Sequence, residues 1–474
     1  MTEFPTPPRS VEPPLVTAPP VVERRSYLGW ICLTALLLLM FLSNFSHAVA
    51  DKPKKSDNLD DYLFLRIHAS SEAFSKKTLG GSKSQLADIQ SQQSAAFDGT
   101  ISALVEKSRT DLESSRLYGA QRTEQGNDVP AASLAPLLKS DLPADHALAQ
   151  VYGAKKLTLA EAQAIVRELP DKPFIYKLAQ VEAMEKAGDK TARSKAFTGN
   201  LARGLIAIAF GGLAILVGSF VCWILLFNAR ATGQLQPLGF PLGPLSLSDS
   251  DRLATRAAQI LGLFLLLSIV GEVISLETKS MAAGEIFGGI GTLLVLALLA
   301  RVPVSGKVIS LRKAGMSTEN FAHNLGYGIA AFLIEYPICM GLAFLGMAAF
   351  SFLPAPSHPD SAMLRDADSV LKMLPILLFA TITAPLWEEF VFRGMIFSAL
   401  TRVTGKIVFS GILTGFIFAM VHPQGPALWL SLATVGVVGC GLTYYTRSLV
   451  PSIVMHMLHN GITMAIAVLM MLKA

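Results

Sequence analysis

Apolar residues gather in nine runs, at about 27 to 48, 204 to 227, 257 to 276, 284 to 300, 324 to 352, 371 to 398, 406 to 422, 427 to 446 and 450 to 472. A helix needs about 20 apolar residues to cross the hydrocarbon core of a bilayer, so the pattern predicts an all-α, polytopic helical membrane protein with about nine transmembrane helices. The long polar stretch 51–200 breaks the series once, after the first helix. The expected organisation is a tail at 1–26, a transmembrane helix at 27–48, a helical soluble insertion at 51–200 and an eight-helix bundle at 201–474.

The charges between the runs set an expected orientation. Arg24 and Arg25 precede the first run, and Arg230, Arg252 and Arg256 share a loop. Arg301, Lys307, Arg312 and Lys313 share the next, Arg402 and Lys406 another, and Arg447 the last. Alternation puts all of these on one side and the acidic loop 353–370, with Asp360, Asp366 and Asp368, on the other. By the positive-inside bias the N-terminus is cytoplasmic and 51–200 extracytoplasmic, in the plasma (inner) membrane of a prokaryote. Ala48-Val49-Ala50 imitates a cleavage site, but the leading region is long for a signal peptide, so an uncleaved signal anchor is expected. The Pro-, Thr- and Val-rich tail has no helical period and reads as disordered.

Composition agrees with this picture and adds little. A 51% hydrophobic content and a mean hydropathy of +0.47 exclude an ordinary soluble enzyme. The partner expected from this picture is the lipid bilayer, and no nucleic acid. Cys32, Cys222, Cys339 and Cys440 lie far apart within apolar runs and read as four small buried hydrophobes. Within 51–200, Thr158-Leu159-Ala160-Glu161 is a capping box for a helix that ends before Pro170, and Pro173 to Gly188 supplies the next helix.

The chemistry-bearing stretch is Leu386-Trp387-Glu388-Glu389-Phe390-Val391-Phe392-Arg393-Gly394. Charges within a membrane segment are costly and point to function. At roughly 100° per residue, Glu389 and Arg393 are an i,i+4 pair on nearly one face, whereas Glu388 points roughly 140° away from Arg393. Glu389 is therefore expected to balance Arg393. Glu388 is left to meet water, a histidine or a proton from elsewhere, which suits a general base. Two later helices bring histidines: Phe418 and His422 share a face at i,i+4, and so do His456 and Asn460, with His459 one turn from His456. Spacing alone leaves His456 and His459 as alternatives. Glu272 and Glu335, further acids within spans, read as carboxylates bonded to a neighbouring helix or close to an interface.

EExxxR, then FxxxH, then HxxxN, on successive membrane helices and bracketed at the first by Pro385 and Gly394, resembles the CPBP family of intramembrane endopeptidases. That family includes type II CAAX prenyl endopeptidases and bacteriocin-processing and abortive-infection relatives. The resemblance covers about 371–470 and implies a peptide or protein substrate. It implies Glu388, His422, His456 and Asn460 as the catalytic set, with Glu389, Arg393 and Phe418 supporting, and it selects His456 because only that histidine stands four before Asn460.

Hydrolysis of a peptide bond in an apolar site needs a water, a base, a group that orients the water, and donors for the oxyanion. Glu388 suits the base, His422 the orienting group, and His456 with Asn460 the donors. A divalent metal such as zinc, held by Glu388, His422 and His456, is the alternative the resemblance leaves open; no HExxH helix supports zinc-peptidase chemistry of the usual kind. Two other classes compete: a non-proteolytic scaffold or bacteriocin-immunity-type protein that keeps the motifs as structure, and a transporter with a proton relay. The second is disfavoured because no paired halves with interrupted helices are visible.

Overall fold

The computed structural model describes residues 25–50, 65, 105–170, 174–197, 200–278, 281–299, 302–304, 307–309, 315–316, 319–350, 352–353 and 370–470. The expected tail, most of 51–104, Arg312 and Lys313, and nearly all of the acidic loop lie outside the described residues.

The nine apolar runs are nine helical stretches. These are α1 (Leu28–Ala50), α8 (Asn200–Ala231), α9 (Leu247–Thr278), α10 (Met281–Leu299), α11 (Phe321–Ala349), a composite helix over 370–404, α15 (Ile407–Met420), α16 (Trp429–Thr446) and α17 (Val450–Met470). Seven helices are long and apolar enough to cross a membrane among the described residues. The chain is a polytopic all-α membrane protein. Large apolar side chains such as Phe210, Leu216, Phe220 and Phe227 stand more than half exposed along α8, as a lipid-facing surface requires. A small antiparallel hairpin, β1 (Val302–Val304) with β2 (Lys307–Ile309), was not anticipated.

α15 is the short member. Its 14 residues span only about 21 Å against about 30 Å of hydrocarbon. It packs closely on α16 because Gly415 and Gly436 meet without side chains; a Cβ on Gly436 would lie 2.4 Å from the Gly415 Cα.

Contacts between helix ends agree with the alternation read from the charges. At one end Arg25 Nη2 pairs with Asp251 Oδ1 at 2.9 Å, Gly239 N donates to the Tyr444 carbonyl at 3.0 Å, and Leu449 N donates to the Gly315 carbonyl at 2.9 Å. At the other end Asn44 reaches the Val421 carbonyl, and Gly346 abuts Ala427. The starts of α1, α9 and α17 and the ends of α8 and α16 therefore share one side, and the ends of α1, α11 and α15 share the opposite side.

Residues 112–196 form six helices: α2 (Leu112–Glu124), α3 (Ala131–Leu138), α4 (Pro143–Gly153), α5 (Leu159–Glu168), α6 (Phe174–Lys186) and α7 (Ala192–Ala196). They enclose their own apolar core, including Leu117, Leu148, Ile165 and Leu178, separate from that of the bundle. The capping box forms as read: Glu161 N donates to Thr158 Oγ1 and Thr158 N to Glu161 Oε2. The exposed Glu161 carboxyl is held below its ordinary value by the hydrogen bonds it accepts from Thr158 N and then Thr158 Oγ1.

The cysteines depart from the uniform reading. All four are free, but Cys32 is exposed and Cys222 half-buried; only Cys339 and Cys440 are buried. The reason is position: Cys32 and Cys222 lie on helices whose outer faces meet lipid, where an apolar side chain needs no cover.

Candidate active site

The composite helix that carries the acidic pair is not a uniform α-helix. It runs as α12 (Val370–Leu378), a π-helical segment Phe379–Thr383, α13 (Ala384–Glu389), a second π-helical segment Phe390–Phe397 and α14 (Ser398–Thr404). Widened turns of this kind often occur at functional sites, because they re-aim side chains that a regular helix would spread around its axis. The first has a chemical consequence. Ala384 N donates to the Phe379 carbonyl, five residues back. The next donor in that register is Pro385, which has no N–H for the Ala380 carbonyl. Asn460 on α17 supplies one instead, its Nδ2 donating to Ala380 O at 2.8 Å.

Glu389 and Arg393 meet as the i,i+4 spacing requires, Oε1 to Nη1 at 3.0 Å, and both side chains are fully buried. Room for the pair comes from Gly439 on α16, where a Cβ would lie 2.8 Å from Arg393 Nε and 3.3 Å from Glu389 Oε2. His456 completes the group: its Nδ1–H donates to Glu389 Oε1 at 2.9 Å. That bond fixes the ring, and its other nitrogen, Nε2, faces Glu388 Oε2 at 3.7 Å.

His422 approaches the same oxygen from α15. A carbonyl only accepts, so His422 Nδ1 carries the proton and donates to Phe418 O at 2.6 Å. Its Nε2 then lies 3.9 Å from Glu388 Oε2. Both histidines thus turn an Nε2 toward one carboxylate oxygen, at separations too long for direct hydrogen bonds and suited to a water between them. The two carboxylates differ in access: Glu388 and His422 side chains are 11% and 17% exposed, whereas Glu389 is 0%.

Phe418 packs at the centre. Its ring lies 4.3 Å from that of His422 and 5.6 Å from that of His456, centroid to centroid, and the Arg393 guanidinium carbon sits 4.4 Å over it. The structure brings together six of the residues singled out in the sequence, Glu388, Glu389, Arg393, Phe418, His422 and His456, whereas Asn460 bonds to Ala380, eight residues before Glu388 on the same composite helix. It adds neighbours that sequence did not flag. Phe41 and Phe45 of α1 lie 5.7 and 6.2 Å from the Trp429 ring, and Asn44 bonds to Val421 beside His422. Only a contact nearly 400 residues long in sequence brings α1 here, and no local pattern announces it.

As a ligand set, the two Nε2 lone pairs and the Glu388 carboxylate have suitable donor chemistry for a divalent metal. The His, Cys, Asp and Glu side chains whose ligand atoms all lie within 4.8 Å of one another, among the described residues, are a different group: Glu335, Cys339 and His459.

The fold and site define a helical membrane protein with a buried Glu–Glu–Arg–His–His constellation at the level of its membrane spans. Residues 370–462 match the family model described as Rce1-like, type II CAAX prenyl endopeptidase. Over that segment the chain is similar to this CAAX-type protease family, in agreement with the resemblance its motifs carry. Comparison with curated proteins and with solved structures gives no match.

Proposed function

We propose that the protein is a plasma-membrane endopeptidase that cleaves membrane-associated or leader-type peptides with a water activated by Glu388. The observation that carries this reading is the convergence of His422 Nε2 and His456 Nε2 on Glu388 Oε2, at 3.9 and 3.7 Å. A water held by Glu388 and the His422 lone pair gives its proton to the carboxylate, and its oxygen attacks the peptide carbonyl carbon. Collapse of the tetrahedral adduct breaks the C–N bond, and the proton on Glu388 passes to the departing amine. The products are a carboxylic acid and an amine.

Donors for the oxyanion come from α17. Asn460 retains a second N–H beyond the one given to Ala380. His456, with Nδ1–H committed to Glu389, presents Nε2 to the same space and would donate from it only as the imidazolium. Glu389 and Arg393 position this histidine and do not touch the water. If 51–200 is outside, the accessible edge of Glu388 and His422 faces the extracytoplasmic half, because α15 ends on the side where α1 ends. The test is purified full-length protein in detergent against a peptide library, with mass-spectrometric detection of cleavage. Cleavage that disappears in Glu388→Gln supports the reading, and cleavage unaffected by that change removes it.

A further inference from the structure

A second polar cluster lies inside the bundle and takes no part in the chemistry above. Glu335 and Cys339 stand at i,i+4 on α11, so both side chains leave one face of the helix. His459 faces them from α17. Glu335 Oε1 accepts from His459 Nδ1 at 2.8 Å, and Glu335 Oε2 accepts from Cys339 Sγ at 2.8 Å. All three residues are buried, Glu335 and Cys339 completely. The Ser431 carbonyl backs the sulfur at 3.3 Å, and the Tyr336 ring meets that of His459 edge-on at 5.2 Å.

The charge balance of this cluster is unusual. Glu335 is the fifteenth residue of the 29-residue span Phe321–Ala349, near its middle, where an ionised carboxylate is most costly. Its two visible partners are a thiol and an imidazole, both of which hold it through exchangeable protons. One divalent cation in place of those two protons solves the problem: carboxylate, thiolate and neutral imidazole around a 2+ ion sum to zero charge. Binding releases the thiol proton to solvent, and the imidazole proton moves from Nδ1 to Nε2 as Nδ1 becomes the ligand.

We propose that Glu335, Cys339 and His459 form a buried structural site for a borderline divalent cation, zinc by its donor set. Sulfur and imidazole together disfavour magnesium and calcium, which take oxygen ligands, and suit tetrahedral zinc with three protein ligands and a fourth position for a water. The ion would tie α11 to α17 one turn from His456 and next to Asn460, setting the register of the helix that presents them. The site is separate from Glu388, His422 and His456 and does not depend on the proteolytic reading.

The experiment uses untagged full-length protein purified in detergent without chelator, with metal content measured by mass spectrometry. Cobalt is exchanged in and its absorption spectrum recorded, since a thiolate ligand gives a near-ultraviolet charge-transfer band that oxygen and nitrogen ligands do not. The expected result is about one equivalent of zinc or cobalt with that band in the wild type. Cys339→Ser should remove the band and lower metal content at least tenfold, while His422→Ala keeps both. Wild-type protein that takes up neither metal, or that binds cobalt without the thiolate band, overturns the proposal without reference to any variant. Metal lost in His422→Ala and retained in Cys339→Ser overturns it as well.

Discussion

His456 and Glu389 are joined by a 2.9 Å hydrogen bond from Nδ1–H to Oε1, and this bond aims the opposite ring nitrogen at Glu388. The adjacent carboxylates therefore have unequal surroundings. Glu389 is enclosed by Arg393, His456 and the gap at Gly439, whereas Glu388 looks toward the histidines and the accessible edge of the site.

The gap at Gly439 is a packing requirement with a measurable consequence. An added Cβ would overlap the Arg393 guanidinium, so Gly439→Ala must displace the ion pair or separate α16 from the composite helix. The expected loss is about 1–3 kcal/mol, typical of overpacking, with a fall in activity. Gly441, on the same helix, has open space within 4 Å of the position a methyl would take, so Gly441→Ala provides the control. Thermal melting of both variants should separate them; equal melting temperatures would show that the pair has slack.

Much of this site was legible because its strongest features are local. The i,i+4 pairs Glu389/Arg393 and Phe418/His422 follow from helix geometry, and both form. The π-helical turns were not legible, since no spacing rule in Phe379–Thr383 or Phe390–Phe397 announces a widened turn. Glu335 was read as bonded to a neighbouring helix or close to an interface, and the former holds, but its partner His459 lies 124 residues away and no spacing rule finds it. Glu272 is exposed near the end of α9. Helix α2 escaped for a different reason: its buried face is Ser114, Ser115, Gly119, Ala120 and Gln121 as well as Leu117 and Tyr118, so it lacks an apolar period.

The soluble domain offers a pH test. Glu182 is buried on α6, and burial, followed by the nearby Glu124 carboxylate, pushes its carboxyl well above the ordinary range. A raised folded value means that the folded state holds the proton more tightly. Its stabilising contribution is therefore complete below the unfolded carboxylate value of about 4.3, and it is lost as pH rises through the folded value. Glu182→Gln, neutral at every pH, should be more stable than wild type at neutral pH and should lose this part of the pH dependence. Melting curves of the two full-length proteins across pH would check it, and parallel curves would contradict it.

The sidedness of the loops can be tested at described positions. Lys139 lies exposed in the domain between α1 and α8, and Gln236 lies exposed in the loop that follows α8. An impermeant thiol reagent applied to intact cells should modify a cysteine at position 139 and spare one at 236. The reverse pattern would invert the orientation and move the accessible edge of the site to the cytoplasm.

Because the candidate chemistry lies entirely after Leu386, the six-helix domain should be dispensable for it, whereas α1 should not. α1 ends and α8 begins on the same side, so the domain can be replaced by a short Gly/Ser linker without drawing either helix from the bundle. Cleavage of a short peptide should survive that replacement. Removing α1 as well strips Phe41, Phe45 and Asn44 from Trp429 and Val421 and should reduce turnover, with His422 left unsupported on that side. Complete loss on domain replacement alone, in well-inserted protein, would make the domain part of the site.

Glutamine substitutions at the two adjacent glutamates separate catalysis from support. Glu388→Gln keeps the shape and most hydrogen bonding but removes the proton acceptor, so turnover should fall by roughly 10² to 10⁴ with melting unchanged. Glu389→Gln leaves the fully buried Arg393 without its counter-charge, a change that destabilises by on the order of 3–5 kcal/mol for a buried pair. It also weakens the bond that orients His456, so activity and stability should fall together. Adding Arg393→Gln to Glu389→Gln removes the uncompensated cation and should restore part of the stability while leaving activity low, because the His456 ring still lacks its carboxylate. Equal losses of activity and stability in the two single variants would mean that both carboxylates serve the fold alike. The asymmetry in their surroundings would then have no mechanistic meaning.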